Sequence, residues 1–210
     1  MNKIILDLCG GSGSWAYFYK QAGYEVHTIT LPYNDVRTFH WKGDHVHGIL
    51  AAPPCESFSN ARRDKVIYNQ SMDRQTGLDI VYACLNIINE CLPNFWSLEN
   101  PATGDLEKYL GKPRLTFQPY EYGDGWAKKT ALWGNFNVPP KLYTSNNRPD
   151  AIEGLYVRPG RNYPSLAFQH KSAVHKIPQF APFIDYVKSD YDLRSITPPG
   201  FAKAFFEANP

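Results

Sequence analysis

The sequence predicts an α/β domain built on an open, doubly wound and mostly parallel sheet, with a small irregular lobe. Short apolar, β-branched runs alternate with helix-like segments along the first half of the chain. Glycine and proline clusters stand directly after those runs, where a sheet of this kind places its ligand loops. A chain of 210 residues with 43% hydrophobic and 20% charged side chains can bury one full core.

Taken in order, "KIILDL" at 3–8 reads as a buried strand bounded by glycine. "GGSGS" follows, then a helix-like "WAYFYKQAG" that ends at Gly23. "YEVHTITL" is a second strand and "HVHGILAA" (45–52) a third, stopped by Pro53 and Pro54. A long helix is expected from about Asp73 to Leu92, with Ile80, Ala83, Cys84, Ile87, Ile88 and Cys91 as apolar positions. "FWSLEN" (95–100) is a strand ending at Pro101, and "LTFQPYEYG" and "TALWGNF" read as further strands. Residues 139–192 are rich in Pro, Asn, Tyr and Arg without periodicity, which suits a small inserted lobe. "TPPGFAKAFFEAN" then returns to a helix entered by Pro-Pro. The expected division is a main domain of 1–138 and 193–210 and a lobe of 139–192.

Cys9, Cys55, Cys84 and Cys91 form no C-x-x-C pair and no zinc spacing, so no metal site is expected. Cys84 and Cys91 share a helix face and read as core. With no membrane-length run and no signal-peptide pattern, a soluble cytoplasmic protein is the expectation. The net charge is only +2, but residues 141–176 carry six Lys/Arg against Asp150 and Glu153, a local +4. Two histidines and three tyrosines share that segment. It suits a phosphate-facing, base-stacking surface as well as it suits a solvated loop.

Three stretches fall at the carboxyl ends of strands: "DLCGGSG" after the first, "PPC" after the third and "ENP" at the end of 95–100. Gly11-x-Gly13 lets backbone approach a ligand closely and offers free N–H groups. Pro53 and Pro54 stiffen the chain just before Cys55, staging that suits a nucleophile better than a core thiol. Glu99 can act as an acid, and a helix-capping role is the plain alternative for it.

This order of motifs resembles the C5-cytosine methyltransferase family over most of the chain. Asp7, Leu8, Cys9, Gly10, Gly11, Ser12 and Gly13 are similar to the family's opening D-L-F-C-G-x-G motif; Pro53, Pro54 and Cys55, with Phe58 and Ser59, are similar to its P-P-C…F-S loop; and Glu99, Asn100 and Pro101 are similar to its E-N-V. The resemblance implies a Rossmann-like methyltransferase sheet, S-adenosyl-L-methionine as cofactor and double-stranded DNA as substrate. It implies Cys55 as the nucleophile toward C6 of a flipped cytosine, Glu99 as the acid at N3, and Asn100 and Pro54 as supports of both. It places the cofactor on Asp7, Leu8, Cys9, Gly10, Gly11, Gly13, Ser14 and Trp15, on Asp35 and Val36 near the adenine, and on Pro53. The last motif, in "TPPGFAKAFFEAN", packs back on the cofactor site in the family. Nucleic-acid contacts are expected from Ser57, Arg62, Arg63, Lys128, Lys129, Arg158 and Arg161. The compact form suggests a bacterial or phage origin.

The chain departs from the family's pattern in four places. No acid stands before Asp35 in "VHTITLPYN" to take the cofactor ribose. "AKKTALW" sets Ala127, Lys129 and Ala131 at the polar positions of the family's Q-x-R-x-R, so an arginine fork is lost there. Glu56 follows the cysteine where the family commonly has Gln. The lobe is short, which implies short readout or a partner protein that extends it. Three rival readings stand beside the DNA enzyme: an RNA cytosine-5 methyltransferase, a catalytically weak nucleic-acid-binding relative, and an unrelated dinucleotide-dependent oxidoreductase. The polymer in the labelled product separates the first, and Cys55→Ser turnover the second. Cofactor identity separates the third.

Overall fold

All five residues of β1 (Ile4–Leu8) are buried, as a central parallel strand with neighbours on both sides requires. The structure, a computed structural model, describes residues 3–58 and 73–210. β1 pairs in parallel with β2 (Glu25–Ile29) on one side and β3 (Val46–Ala51) on the other. β3 continues in parallel to β4 (Phe95–Pro101), which pairs antiparallel with β6 (Thr130–Asn135). With β5 (Leu115–Phe117) at the far edge, the order is β2-β1-β3-β4-β6-β5. The chain leaves β1 to one side for β2 and returns to its other side for β3. That reversal opens a crevice at the strands' carboxyl ends.

The expected mostly parallel sheet is present, with β4 and β6 as an antiparallel pair. Boundaries moved where local chemistry overrides pattern. α1 spans only Tyr17–Gln21, because Gly11 and Gly13 hold positive φ (42° and 67°) and the helix begins after that loop. α2 (Arg74–Cys91) matches its periodicity closely. Asp73 caps it by accepting from the Thr76 N–H at 2.8 Å, and Leu92 ends it in a left-handed conformation. Its buried stripe includes Leu78, Val81, Cys84 and Ile88, while Cys91 is only partly buried. The short α3 (Glu107–Leu110) precedes β5.

"LTFQPYEYG" stops being a strand at Phe117. Pro119 and a Gln118–Glu121 capping box turn Pro119–Tyr122 into a 3-10 helix. The segment from Gly123 to Lys129 is also not strand. Gly123 takes φ 95°, and a Cβ on Gly125 would lie 2.8 Å from the Asp150 carbonyl, so this stretch threads between neighbours and pairs only at Ala127 with Ser165.

The chain forms two compact units. The first holds the described residues of Met1–Gly11, Tyr19–Thr116 and Thr130–Phe136, and the second holds Ser12–Phe18, Phe117–Lys129 and Asn137–Pro210. The second unit takes in 139–192 together with α4 (Asp190–Ser195) and α5 (Pro199–Ala208). Its core gathers Trp126, Leu166, Phe180 and Ile196 from segments with no helical period, including 3-10 helices at Leu166–Phe168, Lys171–Lys176 and Pro178–Tyr186. Phe201 of α5 stacks on Phe117 at 3.9 Å and 18°. Asp124 holds the start of α5 by accepting from the Gly200 N–H at 3.2 Å. The Asn209 side-chain amide accepts from the Asn137 N–H at 2.7 Å and donates to the Asn137 carbonyl at 3.0 Å. Among the described residues no helix is long and apolar enough to cross a membrane, and no group of His, Cys, Asp and Glu could hold a metal ion.

Candidate active site

The register Ala51↔Leu98 brings the ends of β3 and β4 side by side, so the PPC and ENP stretches leave the sheet as neighbours. A direct bond joins them: the buried Asn100 side-chain amide donates to the Pro53 carbonyl at 3.1 Å. A proline-rich strand exit has few backbone donors to offer its own carbonyls, and Asn100 supplies one from the adjacent strand. Glu99, one residue earlier and partly exposed, is fixed on its other side by pairing of β4 with Leu132 of β6.

Cys55 opens a turn closed by the Phe58 N–H donating to the Cys55 carbonyl at 3.0 Å. The turn is anchored below the thiol. Phe58 is buried and its carbonyl accepts from the Asp105 N–H at 2.8 Å. The Ser57 hydroxyl donates to the Asp73 carbonyl at 2.9 Å, and a Cβ on Gly77 would come within 2.4 Å of the Ser57 side chain. Ser57, expected at the nucleic acid, is fully buried and fastens the turn to α2 instead. Cys55 itself stays partly exposed. Ser59, Arg62 and Arg63 lie outside the described residues.

Asp7 sits at the end of β1 with 1% exposure, and neither carboxylate oxygen has a hydrogen-bond partner. Burial pushes its pKa up to about 7. Gly10 lies over it: a Cβ there would stand 2.2 Å from the Asp7 carboxyl, so only glycine lets the loop close on that acid. Leu8 is a core side chain whose backbone carbonyl accepts from the Ala52 N–H at 2.9 Å. Cys9 takes φ 57° and places its thiol at that of the buried Cys84; this hydrogen bond, with burial, raises the Cys84 pKa well above the ordinary range.

Asp35 is occupied by Arg37, whose guanidinium and backbone N–H both donate to it. Those bonds hold the Asp35 carboxyl below the usual carboxylate range. Val36 is buried beneath. An open cleft of about 370 Å³ lies here, lined by Asn34, Asp35, Thr38, Phe39 and Lys42 among others. Asn34 and Thr38 escaped sequence reading because they match no acidic pattern.

In the second unit, the Ser14 hydroxyl oxygen accepts from the Thr197 N–H at 2.9 Å and from Ser12 at 2.8 Å. Trp15 packs edge-on to Phe205 at 5.6 Å, and its indole N–H is buried without an acceptor. Asp124 was not foreseen. It is buried, its Oδ2 lacks a partner, and burial pushes its pKa up to about 7.

The cations of the lobe sort into two groups. Lys141 pairs with Glu121 at 3.0 Å, Lys171 donates to the Lys188 carbonyl at 2.9 Å and Lys176 to the Gly154 carbonyl at 2.7 Å. Lys129, Arg158 and Arg161 are exposed and make no ion pair among the described residues, while Lys128 is partly exposed.

No family model matches the chain. A protein of Frog virus 3 (isolate Goorha) named "Probable DNA (cytosine-5)-methyltransferase" is 29% identical over 147 residues, covering 61% of this chain and 69% of the viral one. The chain is thus similar in sequence to a viral protein named for C5-cytosine methylation. Among solved structures, a protein encoded within an E. coli prophage and described as a DNA modification methyltransferase aligns with a TM-score of 0.51 at 15% identity, over 76% of this chain. This chain spans 56% of that protein's length, and the likeness is one of fold. That likeness fits the neighbouring PPC and ENP stretches at the crevice of the sheet.

Proposed function

We propose that the chain is a DNA (cytosine-5-)-methyltransferase that uses Cys55 as nucleophile and Glu99 as acid. The observation that carries the reading is the Asn100-to-Pro53 hydrogen bond, which ties the thiol-bearing loop to the acid-bearing strand end. Cytosine C5 is too weak a nucleophile to take a methyl group unaided. The Cys55 thiolate adds to C6, forming an S–C6 bond and moving electron density toward C5. Glu99 at N3 stabilises the charge that this addition places there. After C5 takes the methyl group, the C5 proton passes to water and the electrons of the C5–H bond re-form the C5–C6 double bond. The S–C6 bond breaks to release the Cys55 thiolate. The target base has to leave the helix stack for C6 to reach the thiol.

The residues present fit S-adenosyl-L-methionine, which when bound supplies an electrophilic methyl on a sulfonium. The buried, unpartnered Asp7 carboxylate suits its ammonium group, and Gly10 keeps a side chain off that carboxyl. In the first unit Asp7, Leu8, Cys9, Gly10, Gly11 and Pro53 form the proposed cofactor set, with Leu8 and Cys9 acting through backbone; the family resemblance alone adds Gly13, Ser14 and Trp15. The cleft at Asn34, Asp35 and Thr38, with Val36 buried next to Asp35 in sequence, suits the adenosyl end, Asn34 and Thr38 offering polar groups where no acid precedes Asp35. Residues 139–192 serve as the recognition lobe, and Lys128, Lys129, Arg158 and Arg161 face DNA phosphate or bases, joined by Arg62 and Arg63.

The test is transfer of radiolabelled methyl from S-adenosyl-L-methionine to unmodified duplex DNA, with wild type and Cys55→Ser side by side. Label recovered as 5-methylcytosine from wild type alone supports enzyme and nucleophile together, with a loss of roughly 10⁴-fold or more in the variant. Equal transfer by Cys55→Ser rejects the thiol mechanism. Label on RNA but not on DNA moves the reading to the RNA enzyme.

A further inference from the structure

Resting on the DNA reading above, we propose that the exposed turn at residues 158–161 reads guanine in the target duplex through Arg158 and Arg161, and that the buried Gln169 is the positioning residue that holds it. Residues 156–162 are exposed without a break, between buried Leu155 and buried Pro164. Such an excursion would ordinarily be loose, and this one is built to be stiff.

The turn closes with the Arg161 N–H donating to the Arg158 carbonyl at 3.0 Å. Pro159 fixes its own φ and Gly160 takes φ 77°, the residue pattern of a type II turn. Its base is clamped by Gln169, only 2% exposed. The Gln169 Oε1 accepts from the Tyr156 N–H at 2.9 Å, while its Nε2 donates to the carbonyls of Tyr156 at 2.8 Å and Ser165 at 3.0 Å. One side chain thereby does for Tyr156 what a neighbouring strand does in a sheet. At the tip, the Arg158 guanidinium lies over the Phe168 ring at 5.2 Å, which orders it before any partner arrives.

The chemistry of the turn favours bases over phosphate. A guanidinium fork matches the O6 and N7 of guanine in a bidentate pair. Neither Arg158 nor Arg161 makes an ion pair among the described residues, so both forks are available, whereas Lys141, Lys171 and Lys176 are tied into the lobe itself. Beside the arginines, Tyr156 and Val157 are 53% and 39% exposed. Apolar groups at that place suit base edges and thymine methyls and gain nothing from phosphate.

The experiment selects bound sequences from a random duplex library at fixed salt, using wild type, Arg158→Lys, Arg161→Lys and Gln169→Met, with methyl transfer measured separately. A lysine keeps the charge and loses the fork. The expected result is a wild-type consensus containing guanine. Each lysine variant should lose preference at one guanine by roughly 5- to 150-fold with an unchanged salt slope. Gln169→Met should blur both positions. Unchanged thermal midpoints in the lysine variants show that they fold. A consensus shared by wild type and lysine variants overturns the inference, since the arginines would then touch only phosphate, as does a wild type without guanine preference. Loss of the guanine preference in the variants while wild type transfers no methyl group leaves the inference standing and rejects the methyltransferase reading. Binding to no duplex at all rejects both.

Discussion

The sheet end that carries Cys55 and Glu99 and the turn that carries Arg158 and Arg161 are held in place by different means. At the sheet end, backbone ladders do most of the work: Leu98 sits opposite Ala51 and Glu99 opposite Leu132, and Asn100 adds one cross-link. In the second unit no ladder is present among the described residues beyond the Ala127–Ser165 bridge, and single side chains fix the backbone instead, Gln169 at Tyr156 and Asp124 at Gly200. A ladder shares its strength over many bonds, so no single outward-facing side chain decides the geometry. A clamp concentrates it in one residue. Fixed chemistry is therefore placed where the fold tolerates most change, and readout where one substitution can re-aim it.

Five substitutions break or sharpen that contrast. Glu99→Gln should lower kcat by roughly 10²- to 10⁴-fold with DNA affinity nearly unchanged, measured by steady-state methyl transfer beside a binding titration. A comparable loss of DNA affinity would show that Glu99 grips rather than reacts.

Asp7→Asn tests the other buried group of the sheet end. The folded-state pKa of about 7 lies above the reference 3.8, so the folded protein holds this proton longer than the unfolded chain does. Stability from this group is full below pH 3.8, falls as pH rises toward about 7, and is then lower by on the order of 4 kcal/mol. The Asn variant should lose that part of the slope in thermal melts between pH 4 and 8, melt higher than wild type at pH 8, and bind S-adenosyl-L-methionine poorly by calorimetry. Asp124, pushed up to about 7 by its own burial, keeps its share of the slope in the variant.

Asn100→Ala should leave the buried Pro53 carbonyl unpaired, at about 1–3 kcal/mol of stability, and lower kcat by roughly 10²-fold through misplacement of the Cys55 loop. A larger fall in DNA affinity than in kcat would contradict a role confined to the sheet end. The smallest effect belongs to the exposed cations. Lys129→Ala should reduce the slope of log affinity against log salt by about 0.9, while Lys141→Ala, already paired with Glu121, should not change it.

Much of the sheet end was legible because its signals are local. Pro53 and Pro54 stop a strand wherever they stand, Asp73 caps the helix it precedes, and the three motifs sit at strand ends that periodicity locates. The lobe was not legible because its order comes from partners far along the chain. Nothing near Lys141 announces Glu121, and nothing near Gln169 announces the backbone of Tyr156. Composition could count six cations in that region without telling which ones the protein uses on itself. The turn at Asp124 is illegible for a related reason: Gly125 lets the chain pass the Asp150 carbonyl, a partner far along the chain. Ser57 shows the opposite case: a motif position two residues after Cys55 is buried and bonded to the Asp73 carbonyl, which local sequence does not announce.

Gly77 shows what such a fastening means for engineering. Helix propensity ranks glycine-to-alanine changes in α2 among the safest ways to gain stability, by about 1 kcal/mol. At this position the added methyl would press on Ser57 and Phe58 and push the turn that begins at Cys55 off its seat. A thermostability campaign guided by propensity would thus meet its sharpest loss of turnover at the substitution that looked most harmless.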